Sequence, residues 1–277
     1  GIGAGAALHQ RAQVRRGWLA LHDGPARVVD GGAGLARGAA RERGDVSGAI
    51  AIFVKTPGYS ALKTRLAATV GTAVADQWHT RAARAVVEVA TTAAREAGAE
   101  VYWAVAEPDA IAAGVWTTLP NLGQGEGDLG ARMGRVHAEL VRRHGHGLLL
   151  GADTPQLAAD DLRAALHWCA VEVPRQVLGP ARDGGFWLYA ANRVTAITRW
   201  NGVVYSQADT ARQFRVGFQD CGEWLVLPTL TDVDRGDDLL PMRRELAALR
   251  APLPAQRALG AWLEETHGAV DRMKETS

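Results

Sequence analysis

The strongest constraint on the fold is the apolar run Ala49-Ile50-Ala51-Ile52-Phe53-Val54, which stops abruptly at Lys55-Thr56-Pro57-Gly58. Such a run reads as a buried strand, and the Pro-Gly break as the loop at its carboxyl end. In open α/β sheets, ligands bind just outside those strand ends. Lys55, Lys63 and Arg65 follow the strand within eleven residues and offer two point charges and a guanidinium fork, a set suited to a phosphate chain. The bland alternative is a solvated basic loop. A Walker A loop is excluded, because it needs glycine where Pro57 and Leu62 stand ahead of Lys63-Thr64.

The rest of the chain repeats the strand-then-helix pattern. An alanine-rich stretch from Thr72 to Glu96 places Ala75, Trp78, Ala82, Ala85, Val86 and Val89 at helical spacing and ends at Gly98. Val101–Val105 is the next strand. A glycine-rich loop, Gln124-Gly125-Glu126-Gly127-Asp128-Leu129-Gly130, leads into a helix running to about His144. His144-Gly145-His146 reads as a solvated helix-to-strand turn rather than a metal pair, since no third ligand is near in sequence. Further strands are expected at Gly147–Gly151, Gln176–Leu178, Phe186–Tyr189 and Glu223–Leu227. Helices are expected at 158–170, 209–219, 237–249 and 255–267. This alternation predicts one α/β domain of three layers, α/β/α.

That domain is expected over residues 48–250, followed by a C-terminal helix and tail at 251–277. Residues 1–47, rich in Gly, Ala and Arg and without sustained periodicity, are expected to form a flexible extension. Lys plus Arg number 31 against 30 for Asp plus Glu, so no global field favours nucleic acid, and any anion site must be local. Two cysteines, Cys169 and Cys221, give neither a disulfide framework nor a zinc spacing. No apolar run approaches a membrane span, and a cytoplasmic, reduced setting is the expectation.

Carboxylates recur at strand ends: Asp153, Asp183 and the pair Asp232/Asp234. Singly, each could be a helix cap or a turn residue. Together with the basic loop and the glycine-rich loop they fit a nucleotide polyphosphate held by protein cations and a divalent ion. Mg²⁺ asks for only one or two carboxylates besides water and phosphate oxygens. Gly184 and Gly185 would let backbone amides approach a ligand. Neither a G-x-S-x-G elbow nor a zinc motif occurs.

Five blocks, in order, carry a family resemblance. They are Phe53-x-Lys55-x-Pro57 with Lys63-Thr64-Arg65-Leu66; Gln124-Gly125-x-Gly127-Asp128-Leu129-Gly130-x-Arg132-Met133; Gly151-x-Asp153-x-Pro155; Gly179-Pro180-x-x-Asp183-Gly184-Gly185; and Asp232-Val233-Asp234 with Asp237-Asp238-Leu239. Over roughly residues 48–250 the chain resembles the DUF2064 family, proteins similar to GT-A glycosyltransferases and to the nucleotidyltransferases of molybdenum- and F420-cofactor synthesis. The resemblance implies a GT-A, Rossmann-like fold with a nucleotide over the carboxyl edge of the sheet. It implies Lys55, Lys63 and Arg65 in a phosphate-binding loop, and Gln124, Asp128 and Arg132 facing base, ribose or the transferred group. Asp153 with Asp232 or Asp234 would hold Mg²⁺ or Mn²⁺, and Asp183-Gly184-Gly185 would form the acceptor side. Tyr205-Ser206-Gln207 departs from the Trp-Ser-Thr often found there.

The expected function is therefore Mg²⁺-dependent transfer from a nucleotide-activated donor to a small-molecule acceptor, foremost glycosyl transfer from a nucleotide-diphospho-sugar. Lys63 and Arg65 would stabilise the leaving diphosphate, and Asp183 would orient or deprotonate the acceptor. The alternatives are nucleotidyl transfer with release of pyrophosphate, and a catalytically inactive nucleotide-binding module.

Overall fold

A computed structural model describes the backbone of residues 48–275 and the side chains through residue 266. The extension expected over residues 1–47 lies outside the described residues. Strand β1 (Ala49–Val54) is followed by helices α1 (Thr64–Val70) and α2 (Thr72–Ala97), strand β2 (Glu100–Val105) and a short helix α3 (Pro108–Ala112). Strand β3 (Asn121–Gly123), helix α4 (Leu129–His144), strand β4 (Gly147–Gly151) and helix α5 (Ala159–Cys169) come next. The hairpin β5 (Arg175–Pro180) and β6 (Phe186–Ala191) precedes helices α6 (Ile197–Asn201) and α7 (Thr210–Gly217) and strand β7 (Glu223–Val226). A single 3₁₀ turn (Gly236–Asp238) leads into α8 (Leu239–Ala247), and α9 (Pro254–Glu275) ends the described chain.

The strands form one sheet in the order β3-β2-β1-β4-β6-β5-β7. All neighbours pair in parallel except β6, which is antiparallel to both β4 and β5. The reversal follows from the connection. Residues 181–185 between β5 and β6 are far too few for the crossover that a parallel return requires.

Why β1 is apolar throughout is visible in its two faces. Ile50, Ile52 and Val54 pack with Ala83, Val86 and Ala90 of α2 and with Leu162 and Leu166 of α5. Ala49 and Ala51 share the opposite core with Met133, Val136 and Leu140 of α4, together with Trp200 and Phe214. Two apolar cores, one on each side of the sheet, give the expected three layers. A third cluster joins Leu66 of α1 and Trp78 of α2 to Val233, Leu239 and Met242, and to Leu259 and Leu263 of α9. It anchors the 232–234 segment beside α1.

Several elements differ from the sequence expectation. Residues 63–70 do not form an open loop: Lys63 takes a left-handed backbone (φ 48°, ψ 34°) and starts α1. β3 has only three residues, too short for any period to register. His144 and His146 are not in a solvated turn; they are 9% and 1% exposed. Gly145 closes α4 between them, and Tyr102 of β2 lies within hydrogen-bond distance of His144 Nε2 at 3.1 Å.

Candidate active site

Because β1, β3, β4 and β5 all end on one edge of the sheet, the loops after them meet there, and the 229–234 segment beyond β7 joins them. They enclose an open cavity of about 780 Å³. From the β1 side it is lined by Lys55, Lys63 and Arg65; from the β3–α4 loop by Gln124 and from the first turn of α4 by Leu129 and Arg132; from the end of β4 by Asp153. Asp183, Phe186, Ser206 and Gln207 form the opposite wall, and Asp232, Asp234 and Arg235 close it. Residues from five separate blocks of sequence thus share one cavity. Asp128, Gly184 and Gly185 are not part of the lining.

Asp128 caps α4, its carboxylate accepting the Ala131 N–H at 2.8 Å. Gly184 (φ 90°) is a packing glycine, since a Cβ there would run into the Ala208 carbonyl. Its own carbonyl accepts the Ala211 N–H at 2.8 Å, which ties the Asp183 loop to the 205–211 loop. Asp183 Oδ1 accepts the Gly185 N–H at 2.9 Å.

The β1 loop is braced from β2. Glu107 accepts the Thr56 N–H at 3.0 Å and the Ser60 hydroxyl, and the Trp116 indole N–H donates to the Thr56 hydroxyl at 2.8 Å. Gln124 is held as firmly. Its side-chain amide donates to the carbonyls of Val54 at 3.2 Å and Ala104 at 2.9 Å, so both amide hydrogens are engaged and Oε1 is the remaining polar atom. The Gln124 carbonyl in turn accepts from Arg135 at 2.6 Å.

The centre of the site is Asp153. Lys63 Nζ lies 2.8 Å from Asp153 Oδ2 and donates to the Val233 carbonyl at 2.5 Å. His79 Nδ1 lies 3.5 Å from Asp153 Oδ1. Lys63, expected to face phosphate, has as its immediate partner a carboxylate. Burial opposes both charges, yet each stays ionised. The Lys63 ammonium outweighs desolvation and holds the Asp153 carboxyl well below its usual range, with His79 adding to the effect. Burial likewise works to lower Lys63, but Asp153, Asp232 and Asp234 raise it above its ordinary value. Arg65 pairs with Asp234 at 2.6 Å on the open side. Asp238 accepts the N–H groups of Asp234 and Arg235 at 3.0 and 2.7 Å, fixing that turn.

Asp232 differs from its neighbours. Burial and the Asp153 carboxylate push its carboxyl up to about 7; Lys63 opposes this, while Asp183 and Asp234 add to it. Asp232 thus lies buried against the Asp153 carboxylate, a local repulsion that a divalent cation between the two would relieve. Among the described residues no three His, Cys, Asp or Glu side chains converge closely enough to hold an ion unaided. Hard oxygen donors of this kind still fit Mg²⁺ or Mn²⁺, whose shell is completed by phosphate oxygens and water.

The sequence reading missed His79 and Arg235. His79 left a signal, a histidine among the apolar positions Ala75, Trp78 and Ala82 of α2. Arg235 stands directly after the Asp232-Val233-Asp234 block. Ser206, which the resemblance placed on the acceptor side, stands out by its backbone. It and Lys63 are the two non-glycine residues with left-handed φ among those described, and both line this cavity.

The profile of DUF2064, described as an uncharacterized protein conserved in bacteria, matches residues 80–207. That segment is similar to DUF2064. It carries Gln124, Arg132, Asp153, Asp183 and Ser206. No curated protein matches the chain. Among solved structures, a "putative nucleotide-diphospho-sugar transferase" from Desulfovibrio desulfuricans G20 matches with a TM-score of 0.70 at 22% identity, covering 82% of this chain and 98% of that one. A CMP:2-keto-3-deoxy-manno-octonic acid synthetase complexed with CTP matches at 0.45, with 14% identity and coverage of 73% and 99%. Rv0371c from Mycobacterium tuberculosis H37Rv matches at 0.46, with 15% identity and coverage of 73% and 100%. The first of these shares the fold of this chain over most of its length.

Proposed function

We propose that the cavity binds a nucleotide-activated donor and that the protein is a transferase, with glycosyl transfer from a nucleotide-diphospho-sugar as its reaction. The observation that carries this is the convergence of Lys55, Arg65 and Arg235 with Asp153, Asp183, Asp232 and Asp234 on one cavity. Cations alone would bind any anion, and carboxylates alone would repel one. Both together suit a diphosphate that arrives with a divalent ion.

Each residue then has a distinct task. Lys55 and Arg65 meet the phosphates from the β1 side, where their charge stabilises the departing diphosphate. Lys63 acts beneath them, keeping Asp153 ionised and tying it to the Val233 carbonyl. Asp153 and Asp232 or Asp234 would hold Mg²⁺ or Mn²⁺, which when bound neutralises charge on the diphosphate. Gln124 Oε1, with its amide hydrogens engaged, accepts an N–H and so suits the edge of a nucleobase. Asp183, on the wall opposite the cations, takes the proton of the acceptor hydroxyl. The acceptor oxygen bonds to the sugar carbon as the bond to the diphosphate breaks, and a nucleoside diphosphate leaves.

A second reading, nucleotidyl transfer, draws on the end of β4. There one carboxylate, Asp153, is followed by buried Thr154 and Pro155, where a D-x-D pair would place two. A thermal-shift panel of nucleoside triphosphates and nucleotide sugars, with and without Mg²⁺, tests both. A ligand of the folded state raises the melting temperature by mass action. The proposal expects a Mg²⁺-dependent rise with a nucleotide sugar that exceeds the rise with its parent diphosphate. A rise with one triphosphate alone would favour nucleotidyl transfer, and pyrophosphate among the products would establish it. No rise with any member of the panel would overturn both.

A further inference from the structure

We propose that His79 is a positioning residue that sets Asp153 for divalent-ion binding; this rests on reading the cavity as a metal-assisted nucleotide site. His79 lies on α2, 4% exposed, on a face otherwise built from alanine, valine and Trp78. A polar ring in such a place is costly unless its nitrogens have work to do. One nitrogen is accounted for: Nε2 is 3.0 Å from the Lys55 carbonyl. A carbonyl only accepts, so Nε2 carries hydrogen and the ring orientation is fixed.

The same orientation turns Nδ1 toward Asp153 Oδ1 at 3.5 Å, longer than a hydrogen bond and within charge contact. Lys63 holds the other oxygen of the same carboxylate at 2.8 Å. Asp153 is thus bonded at Oδ2 by Lys63, at the start of α1, while its Oδ1 packs against Nδ1 of the His79 ring, and those two facing atoms are buried without a hydrogen-bond partner. His79 adds what Lys63 cannot: through the Lys55 carbonyl it fixes the spacing between the β1 loop and the end of β4. Those two segments are the ones that must face the same diphosphate. Partners that orient a ligating group typically change metal affinity by about 10–100-fold when removed.

The test measures Mn²⁺ binding in the presence of a saturating nucleoside diphosphate (ADP, CDP, GDP and UDP in turn), by calorimetry or by electron paramagnetic resonance, and so needs no turnover. Wild type, His79→Phe, Asp153→Asn and the double variant are compared. His79→Phe is expected to weaken Mn²⁺ binding about tenfold, and to have no further effect in the Asp153→Asn background. Unchanged Mn²⁺ affinity in His79→Phe, or losses that multiply in the double variant, would overturn the role of His79. Unchanged Mn²⁺ affinity in Asp153→Asn would instead remove the metal reading itself, and the inference with it. Should His79→Phe fold poorly, His79→Gln, which keeps a donor for the Lys55 carbonyl, is judged by the same criteria. A lower melting temperature with intact Mn²⁺ binding in either variant marks a purely structural histidine.

Discussion

Lys63 departs from local backbone preference and from ordinary lysine behaviour at once. Its left-handed φ turns the chain into α1 and drives the ammonium inward, 8% exposed, between Asp153 and the Val233 carbonyl. Strain of this kind persists where the surroundings over-determine it, commonly at binding sites. The sequence showed the residue and its charge, and read both as facing phosphate. It could not show the partner, because the partner lies ninety residues away and meets Lys63 only once β1 and β4 pair. Removing one member of a buried pair leaves the other charge uncompensated. Because the Asp153 carboxylate is 29% exposed, Lys63→Met should lower unfolding stability by about 1–3 kcal/mol, read as a shift in urea midpoint. Adding Asp153→Asn should recover part of the loss. A Lys63→Met protein as stable as wild type would mean that the pair contributes nothing to the fold.

At the scale of elements, periodicity served well where it was long and failed where it was short. Helix α2 was legible because it carries several turns of apolar spacing and ends at Gly98, and α4 because a glycine-rich loop leads into it; the capping role of Asp128 was not read. β3 and α3 span too few residues to display a period, and the antiparallel β6 is a property of connection length rather than of composition. The histidines of α4 and its C-terminal turn were legible as residues, and their burial was not. Burial pushes His137 down to about 4; the nearby carbonyls of Ala191 and Gly147 oppose this, yet neither ring nitrogen makes a hydrogen bond of good geometry. Burial, and then the charge of His144, push His146 down to about 4 as well. Both rings are neutral in the folded state, while the unfolded chain takes up protons from about pH 6.5 downward. Stability is therefore complete above that pH and falls as pH drops toward 4. Each ring should account for about 2 kcal/mol of loss by pH 5. Urea midpoints at pH 8 and pH 5 measure this, and His137→Leu should flatten the dependence. An unchanged slope in that variant would show that other groups govern acid stability.

For the whole molecule, the sheet order decides where function can reside. With β1 and β4 adjacent, and with β6 reversed beside them, the loops carrying Lys55, Asp153 and Asp183 reach one edge; the third apolar cluster brings the Asp232–Asp234 turn to the same place. No helix among the described residues is long and apolar enough to cross a membrane. The five motif blocks were legible in order along the chain, and their meeting in one cavity follows from the fold they imply. The division of labour inside it, with Lys63 and His79 serving Asp153 while Lys55 and Arg65 face the open side, needed the coordinates. The most direct measurement is the anomalous difference density of crystals grown with Mn²⁺ and each of the four common ribonucleoside triphosphates in turn. The account predicts a manganese peak among Asp153, Asp232 and Asp234, with phosphates lying against Lys55 and Arg65. A nucleotide bound with its phosphates elsewhere, or manganese bound away from those carboxylates, would contradict it.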